Sequence, residues 1–201
     1  MLKLAITGGL CSGKSAVSAL LRERSWPVVD ADRLGHDLLQ TEARAAIVER
    51  FGPSILDGNG AIGHRRLAEV VFAPGAGVAL ADLNRILHPL IMARAWEHLR
   101  QWEQQGMVVA GVEAALLIEA GLQHGFDRVI VVTAERELRI ERFQARTGAS
   151  RQEAEARMAH QLPDARKVEQ ADMVIANDDT LAALAARVGR MADRLLAEAR
   201  A

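Results

Sequence analysis

The chain has no tyrosine, one cysteine, five prolines and aromatic residues at only 3% of its 201 positions. Each scarcity excludes something. One cysteine rules out an internal disulfide and a multi-cysteine metal site. Few aromatics mean that a core must be built from Leu, Val, Ile and Ala, which are plentiful, since half the chain is apolar. Charge of one sign is also lacking: 25 Lys and Arg face 26 Asp and Glu. Without a basic surplus a general nucleic-acid binder is not expected, but the balance says nothing against a local basic pocket for a phosphorylated small molecule. No apolar run approaches the ~18 residues that span a bilayer, so no membrane partner is expected. The glycine-rich segment begins within ten residues of Met1, so no leader is expected and a soluble cytoplasmic protein is the default. The length suits one compact domain with small inserted lobes.

The glycine-rich segment organises the rest. Gly8, four intervening residues and Gly13-Lys14-Ser15 satisfy the Walker A spacing. Before it Leu4-Ala5-Ile6 reads as a buried strand, and after it Val17, Leu20 and Leu21 recur at helical spacing. That strand, loop and helix order aims backbone N–H groups from Cys11 to Ala16 at phosphate oxygens, aided by the helix dipole. Gly9, Cys11, Ser12, Gly13, Lys14, Ser15 and Ala16 are therefore the nucleotide-binding residues. Lys14 reaches the β and γ phosphates, and the Ser15 hydroxyl completes the coordination of Mg²⁺. An ordinary glycine-rich turn before a helix is the alternative. A nucleoside triphosphate is the expected ligand.

Val28-Val29-Asp30 reads as a second strand ending in Asp30-Ala31-Asp32, on the side where ligands gather in open α/β sheets. One of these acids serves as a base or hydroxyl-orienting group; a turn with an Asp cap for a helix over 33–40 is the alternative. Residues 41–105 hold no convincing strand. Helices are expected over 43–51 and 67–72, with a turn at 57–60. Two more are expected on either side of His88-Pro89, one ending near Leu87 and one running from Pro89 to about Gln104, because proline interrupts a helix. This helical stretch is the place for a second substrate, with His88 either facing a ligand or acting as a cap. Strands follow at 107–112, 129–132 and 173–176. Between the last two, residues 135–167 carry eight basic side chains against six acidic ones. Ser150-Arg151-Gln152-Glu153 is a capping box, and Thr147-Gly148 before it is a hinge. Such a hairpin either closes over a triphosphate or is merely a solvated pair of helices. A final helix carries Leu181, Leu184, Val188, Met191 and Leu195 on one face.

Taken together, these residues resemble the dephospho-coenzyme A kinases. The resemblance runs through Thr7 to Ser15 and Val29-Asp30-Ala31-Asp32, then Leu83 to Ile91 with its His88-Pro89 pair, and Leu116-Leu117-Ile118-Glu119. Arg142-Phe143, Arg146, Gln161 and Ala171 to Asn177 complete it. The phosphate loop is shared with many kinases; the Asp-Ala-Asp with the later His-Pro is far more specific. The chain departs from the family with Cys11 where glycine is common, Ala115 where proline is and His64 where arginine is, and it lacks the glycine common near Asp179.

The resemblance implies an α/β P-loop three-layer fold, a five-stranded parallel sheet with a helical substrate lobe and a lid, similar to nucleoside monophosphate kinases. It implies a core of 1–32, 106–134 and 168–201, a lobe over about 33–105 and a lid over about 135–167. It implies a phosphoryl transfer from ATP, with Mg²⁺, to the ribose 3′-hydroxyl of dephospho-coenzyme A, the last step of coenzyme A synthesis. In that picture Asp32 and Lys14 are catalytic, and Arg142, Arg146 and Asn177 contact ATP. Asp32, His64, Arg65 and His88 contact the acceptor, with Arg65 able to replace His64 as the cation. A monomer is expected, with weak association as the alternative. Another P-loop small-molecule kinase is the competing reading. A regulatory GTPase would need an Asn-Lys-x-Asp motif, which the chain lacks.

Overall fold

The computed structural model describes residues 1–200 apart from 74 and 76. In chain order the elements are β1 (Leu2–Gly8), α1 (Lys14–Glu23), β2 (Val28–Asp30), α2 (Ala31–Gln40), α3 (Arg44–Phe51), α4 (His64–Val71) and α5 (Gly77–Gln104). Then come β3 (Val109–Glu113), β4 (Arg128–Thr133), α6 (Arg136–Thr147), α7 (Arg151–Ala159), α8 (Asp164–Val168), β5 (Met173–Ala176) and α9 (Leu181–Arg200). The chain divides into two compact units, one of 1–30 with 99–201 and one of 31–98.

The first unit is built on a parallel five-stranded sheet in the order β2-β3-β1-β4-β5. Side chains alternate across a strand, and both faces of this sheet are covered. Leu4, Ile6, Ile130, Val132 and Ile175 point to one face, where Val17 and Leu21 of α1 and Leu184, Val188 and Leu195 of α9 meet them. Ala5, Val129 and Val131 point to the other, against Leu117 and Ile118, with Leu162 and Ala171 beside them. Each fully buried side chain of this size contributes roughly 1.5–3 kcal/mol, so the sheet is held mainly by these two layers. Leu181 stands apart from the expected apolar face of α9: it is 67% exposed, because it opens the helix before the first turn reaches the sheet. A buried Lys167 bonds Glu119 at 2.8 Å and the Ala115 carbonyl at 3.0 Å, which neutralises its charge.

The second unit is helical apart from an isolated antiparallel bridge between Leu56 and Ile62, and packs around Leu38, Ile47, Ile55, Ile62, Leu67, Val71 and Leu87. Asp82 ties it together by accepting from Arg50 at 2.7 Å and Arg85 at 2.5 Å. The break expected at His88-Pro89 is absent, since α5 runs unbroken with Pro89 inside it. Losing one backbone bond and crowding the preceding turn costs about 3 kcal/mol. That is outweighed here because Leu83, Ile86 and Leu87 before the proline and Leu90 and Ile91 after it join one apolar cluster. Only a continuous helix keeps both sets in register. No helix among the described residues is long and apolar enough to cross a membrane.

Candidate active site

In a parallel sheet the strand ends share one edge. The central strand β1 is where successive strands turn from one side of the sheet to the other, and crevices for ligands form at that point. The glycine-rich loop lies there, between β1 and α1. Gly13 has φ 101° and serves as the N-terminal cap of α1. A Cβ on it would lie 2.0 Å from Nδ2 of Asn177, so no other residue fits without moving that side chain. Cys11 adopts φ 55°, a left-handed conformation that non-glycine residues rarely take.

Lys14 Nζ donates to the carbonyls of Gly8 at 3.1 Å and Gly9 at 3.2 Å, lying back along the loop. Ser15 Oγ donates to Oε1 of Glu113 at 2.7 Å. Glu113 is 4% exposed at the end of β3, in register with Ile6 on one side and Asp30 on the other. The sequence marked Glu113 only as the residue closing a strand; its apolar run gave no sign that the side chain turns toward the phosphate loop. Within the loop, Ser12 N–H donates to the Gly9 carbonyl at 3.1 Å and Ala16 N–H to the Gly13 carbonyl at 3.0 Å.

The loop is held from three further places. Asn177, buried just after β5, donates through Nδ2 to the Ser12 carbonyl at 2.8 Å. Gln161 accepts from Leu10 N–H at 2.7 Å. Arg139 of α6 donates to the Leu10 carbonyl at 2.9 Å and pairs with Asp164 at 2.6 Å. Its guanidinium lies against Gly9, where a Cβ would meet it at 2.5 Å. The family resemblance pointed to Arg142 and Arg146 as the lid arginines, and Arg139 is the one packed on the loop. Its i, i+3 and i+7 relation to Arg142 and Arg146 was visible, but spacing does not say which member lies deepest. Arg142 donates through Nη2 to the Asn177 carbonyl at 3.0 Å, while its buried Nη1 has no hydrogen-bond partner. Arg146 is exposed in the last turn of α6. Gly148, with φ 70°, closes that helix, and Ser150 and Glu153 form the capping box that opens α7. Cys11 packs beside the Ile140, Phe143 and Ala154 cluster of these helices.

In the helical unit, α2 starts directly after Asp30, so Asp32 is exposed in its first turn rather than capping it. His64 opens α4 and stacks on His36 of α2, ring centroids 4.0 Å apart. Its pKa is lowered by burial first and by His36 second. Arg65 is exposed and paired with Glu69 at 3.1 Å. His88 is half-buried in the middle of α5, and burial lowers its pKa. His36 is the residue of this group that the sequence did not single out.

Comparison with known proteins identifies the family. A family model described as dephospho-CoA kinase matches residues 2–183. A dephospho-CoA kinase of Geobacter sulfurreducens is 40% identical over 187 residues, covering 92% of this chain and 94% of that one. One from Anaeromyxobacter dehalogenans is 40% identical over 200 residues, covering 98% and 92%. Among solved structures, TT1252 from Thermus thermophilus superposes with a TM-score of 0.82 at 32% identity over 98% of this chain and 97% of that one. A dephospho-CoA kinase from Campylobacter jejuni shares the fold, with a TM-score of 0.62 at 23% identity over 96% of each chain. The five-stranded parallel sheet, its phosphate loop and the match along nearly its whole length make this chain a member of the dephospho-CoA kinase family.

Proposed function

We propose that this protein transfers the γ-phosphoryl group of ATP to the ribose 3′-hydroxyl of dephospho-coenzyme A, giving coenzyme A and ADP. The observation that carries the reading is the Lys14 and Ser15 pair at the head of α1, in a chain that matches this family from residue 2 to 183. Lys14 leaves the Gly8 and Gly9 carbonyls for the β and γ phosphates, and the loop amides take the oxygens beside them. Arg142 offers its unpartnered Nη1 to ATP, and Arg146, one turn further along α6, adds charge from the surface. Arg139 holds the loop in shape, its guanidinium being committed to Leu10 and Asp164. The segment after Asn177 lies by the adenine.

The residues also fit Mg²⁺. A serine hydroxyl bonded to a buried carboxylate is a hard-oxygen set of the kind this ion takes, with water and phosphate filling its other positions. No cluster of three or more His, Cys, Asp or Glu suited to a metal occurs among the described residues, so the protein's share is Ser15, oriented by Glu113. Bound Mg²⁺ would offset the negative charge of the phosphates.

A ribose hydroxyl is a weak nucleophile at neutral pH, so a carboxylate must orient it and accept its proton as the new bond forms. Asp32 is that group. His64, Arg65 and His88 serve the acceptor. A cytoplasmic monomer with two small-molecule substrates is the simplest working form. The test is product analysis: ATP, Mg²⁺ and dephospho-coenzyme A are incubated with the protein and followed by ³¹P NMR. A new 3′-phosphomonoester signal, matched by ADP, is expected. ADP without that signal overturns the assignment.

A further inference from the structure

Asp32, His36 and Gln40 recur at i, i+4 and i+8 along α2 and so share one side of the helix. The opposite side, with Ala31, Gly35, Leu38 and Leu39, is buried. Gln40 grips the backbone just ahead of α4, donating to the Ile62 carbonyl at 2.8 Å and accepting from Ile62 N–H at 3.0 Å. Gly63 then donates to the Ile55 carbonyl at 2.8 Å, and α4 opens at His64. These bonds fix where α4 begins, and so set the His64 ring on that of His36, with planes only 9° from parallel.

Two exposed imidazoles held face to face have a defined chemistry. Protonating both brings like charges to stacking distance, which an isolated pair resists. An anion at the common edge reverses this by attracting both protons. A shared metal ion is a poorer fit: each nitrogen lone pair lies in its own ring plane, and parallel planes have no point in common. The neighbouring charges are largely engaged elsewhere. Arg65 pairs with Glu69, Arg66 donates to the Leu56 carbonyl, Arg44 to that of Gly60, and Arg94 to Glu42 and Glu97. Asp57 accepts from the N–H groups of Asn59 and Ala61. Asp32, Arg33 and Asp37 are the remaining charged side chains of α2, and His88 stands half-buried on α5.

We propose that the His36–His64 stack is the subsite for the acceptor phosphate nearest the ribose, one turn of α2 from the carboxylate that orients the hydroxyl. This rests on the dephospho-coenzyme A reading above. A turn rises about 5.4 Å, comparable to the reach across a ribose from its 3′-hydroxyl to the phosphate on its 5′ side. Binding draws a proton from solvent onto the stack, so acceptor affinity falls as pH rises, and an acceptor lacking that phosphate gains nothing from the stack.

Steady-state kinetics of His36→Gln, His64→Gln, the double variant and His64→Arg test this at about pH 6.5 and pH 8. At the lower pH each Gln variant should raise KM for dephospho-coenzyme A about tenfold, leaving kcat and the KM for ATP within about twofold. The double variant should be little worse than either single one, because the stack acts as a unit. His64→Arg should restore binding and remove its pH dependence. In parallel, ¹H NMR follows the imidazole C2–H signals of the wild type with inorganic pyrophosphate, which should shift the His64 titration upward and move the His36 signal. An unchanged KM in the folded double variant, or unmoved imidazole signals, overturns the proposal. If the wild type fails to phosphorylate dephospho-coenzyme A, the functional reading has failed; a pyrophosphate response then still supports a phosphate subsite, and its absence still overturns one.

Discussion

The Ser15 hydroxyl donates to the Glu113 carboxylate at 2.7 Å, joining the first turn of α1 to the end of β3. A carboxylate this deeply buried needs a partner, and Ser15 is also the side chain that would meet the metal. Glu113→Gln keeps an acceptor for the hydroxyl and removes the charge. The Mg²⁺ concentration giving half-maximal rate should then rise about 10- to 100-fold, read by titrating Mg²⁺ at saturating ATP. An unchanged requirement would reduce Glu113 to a packing role.

Cys11 holds φ 55°, at a position where the family resemblance led one to expect glycine. A left-handed non-glycine residue costs roughly 1–2 kcal/mol. Cys11→Gly removes that strain but gives up contact with the Ile140 and Phe143 cluster and loosens the unfolded chain. The two sides nearly cancel, so urea denaturation should place Cys11→Gly within about 1 kcal/mol of wild type, with activity retained. Cys11→Val, branched at Cβ, should lose about 1–3 kcal/mol. Equal behaviour of the two variants would mean that the backbone there is not strained.

The phosphate loop was legible because its chemistry demands residues at fixed spacing, and β5 at Met173–Ala176 because an apolar run there ends abruptly in Asn177-Asp178-Asp179. Elements set by tertiary packing were not. Pro89 marks a helix end by local rules, yet Leu87 and Leu90 on either side of it are held by one cluster. Glu113 and Arg139 escaped for a related reason: a carboxylate ending an apolar strand and one arginine among the seven of 135–167 carry no local sign of which way they turn. His36 gained meaning only once Gln40 and Ile62 brought α4 beside it.

Burial holds the pKa of His88 below its ordinary 6.5. The unfolded chain, with the higher pKa, binds more protons between the folded value and 6.5, so stability falls as pH drops through that window. Urea midpoints should be lower at about pH 5.5 than at about pH 7.5. His88→Gln should reduce the difference, leaving the share from His64, whose pKa is lowered too. Asp82, held below the carboxylate range chiefly by its hydrogen bond from Arg50, loses its contribution only in stronger acid and does not blur this window. A His88→Gln variant with an undiminished slope would contradict this assignment.

If Asp32 serves the attacking hydroxyl, Asp32→Asn should lower kcat by about 10²-fold or more. ATP affinity should hardly change, because Lys14 and the loop amides remain. Near-wild-type turnover would exclude Asp32 and make Asp30, at the end of β2, the candidate.

The central claim concerns the acceptor, and the direct measurement is kcat/KM for dephospho-coenzyme A against AMP and adenosine, with ATP and Mg²⁺ saturating. The helical unit of 31–98 is longer than a crossover between strands requires, and contacts remote from the reacting hydroxyl contribute to transition-state binding. Dephospho-coenzyme A should exceed both by orders of magnitude. Comparable efficiency with AMP would contradict the account and make the protein a nucleoside monophosphate kinase in its chemistry.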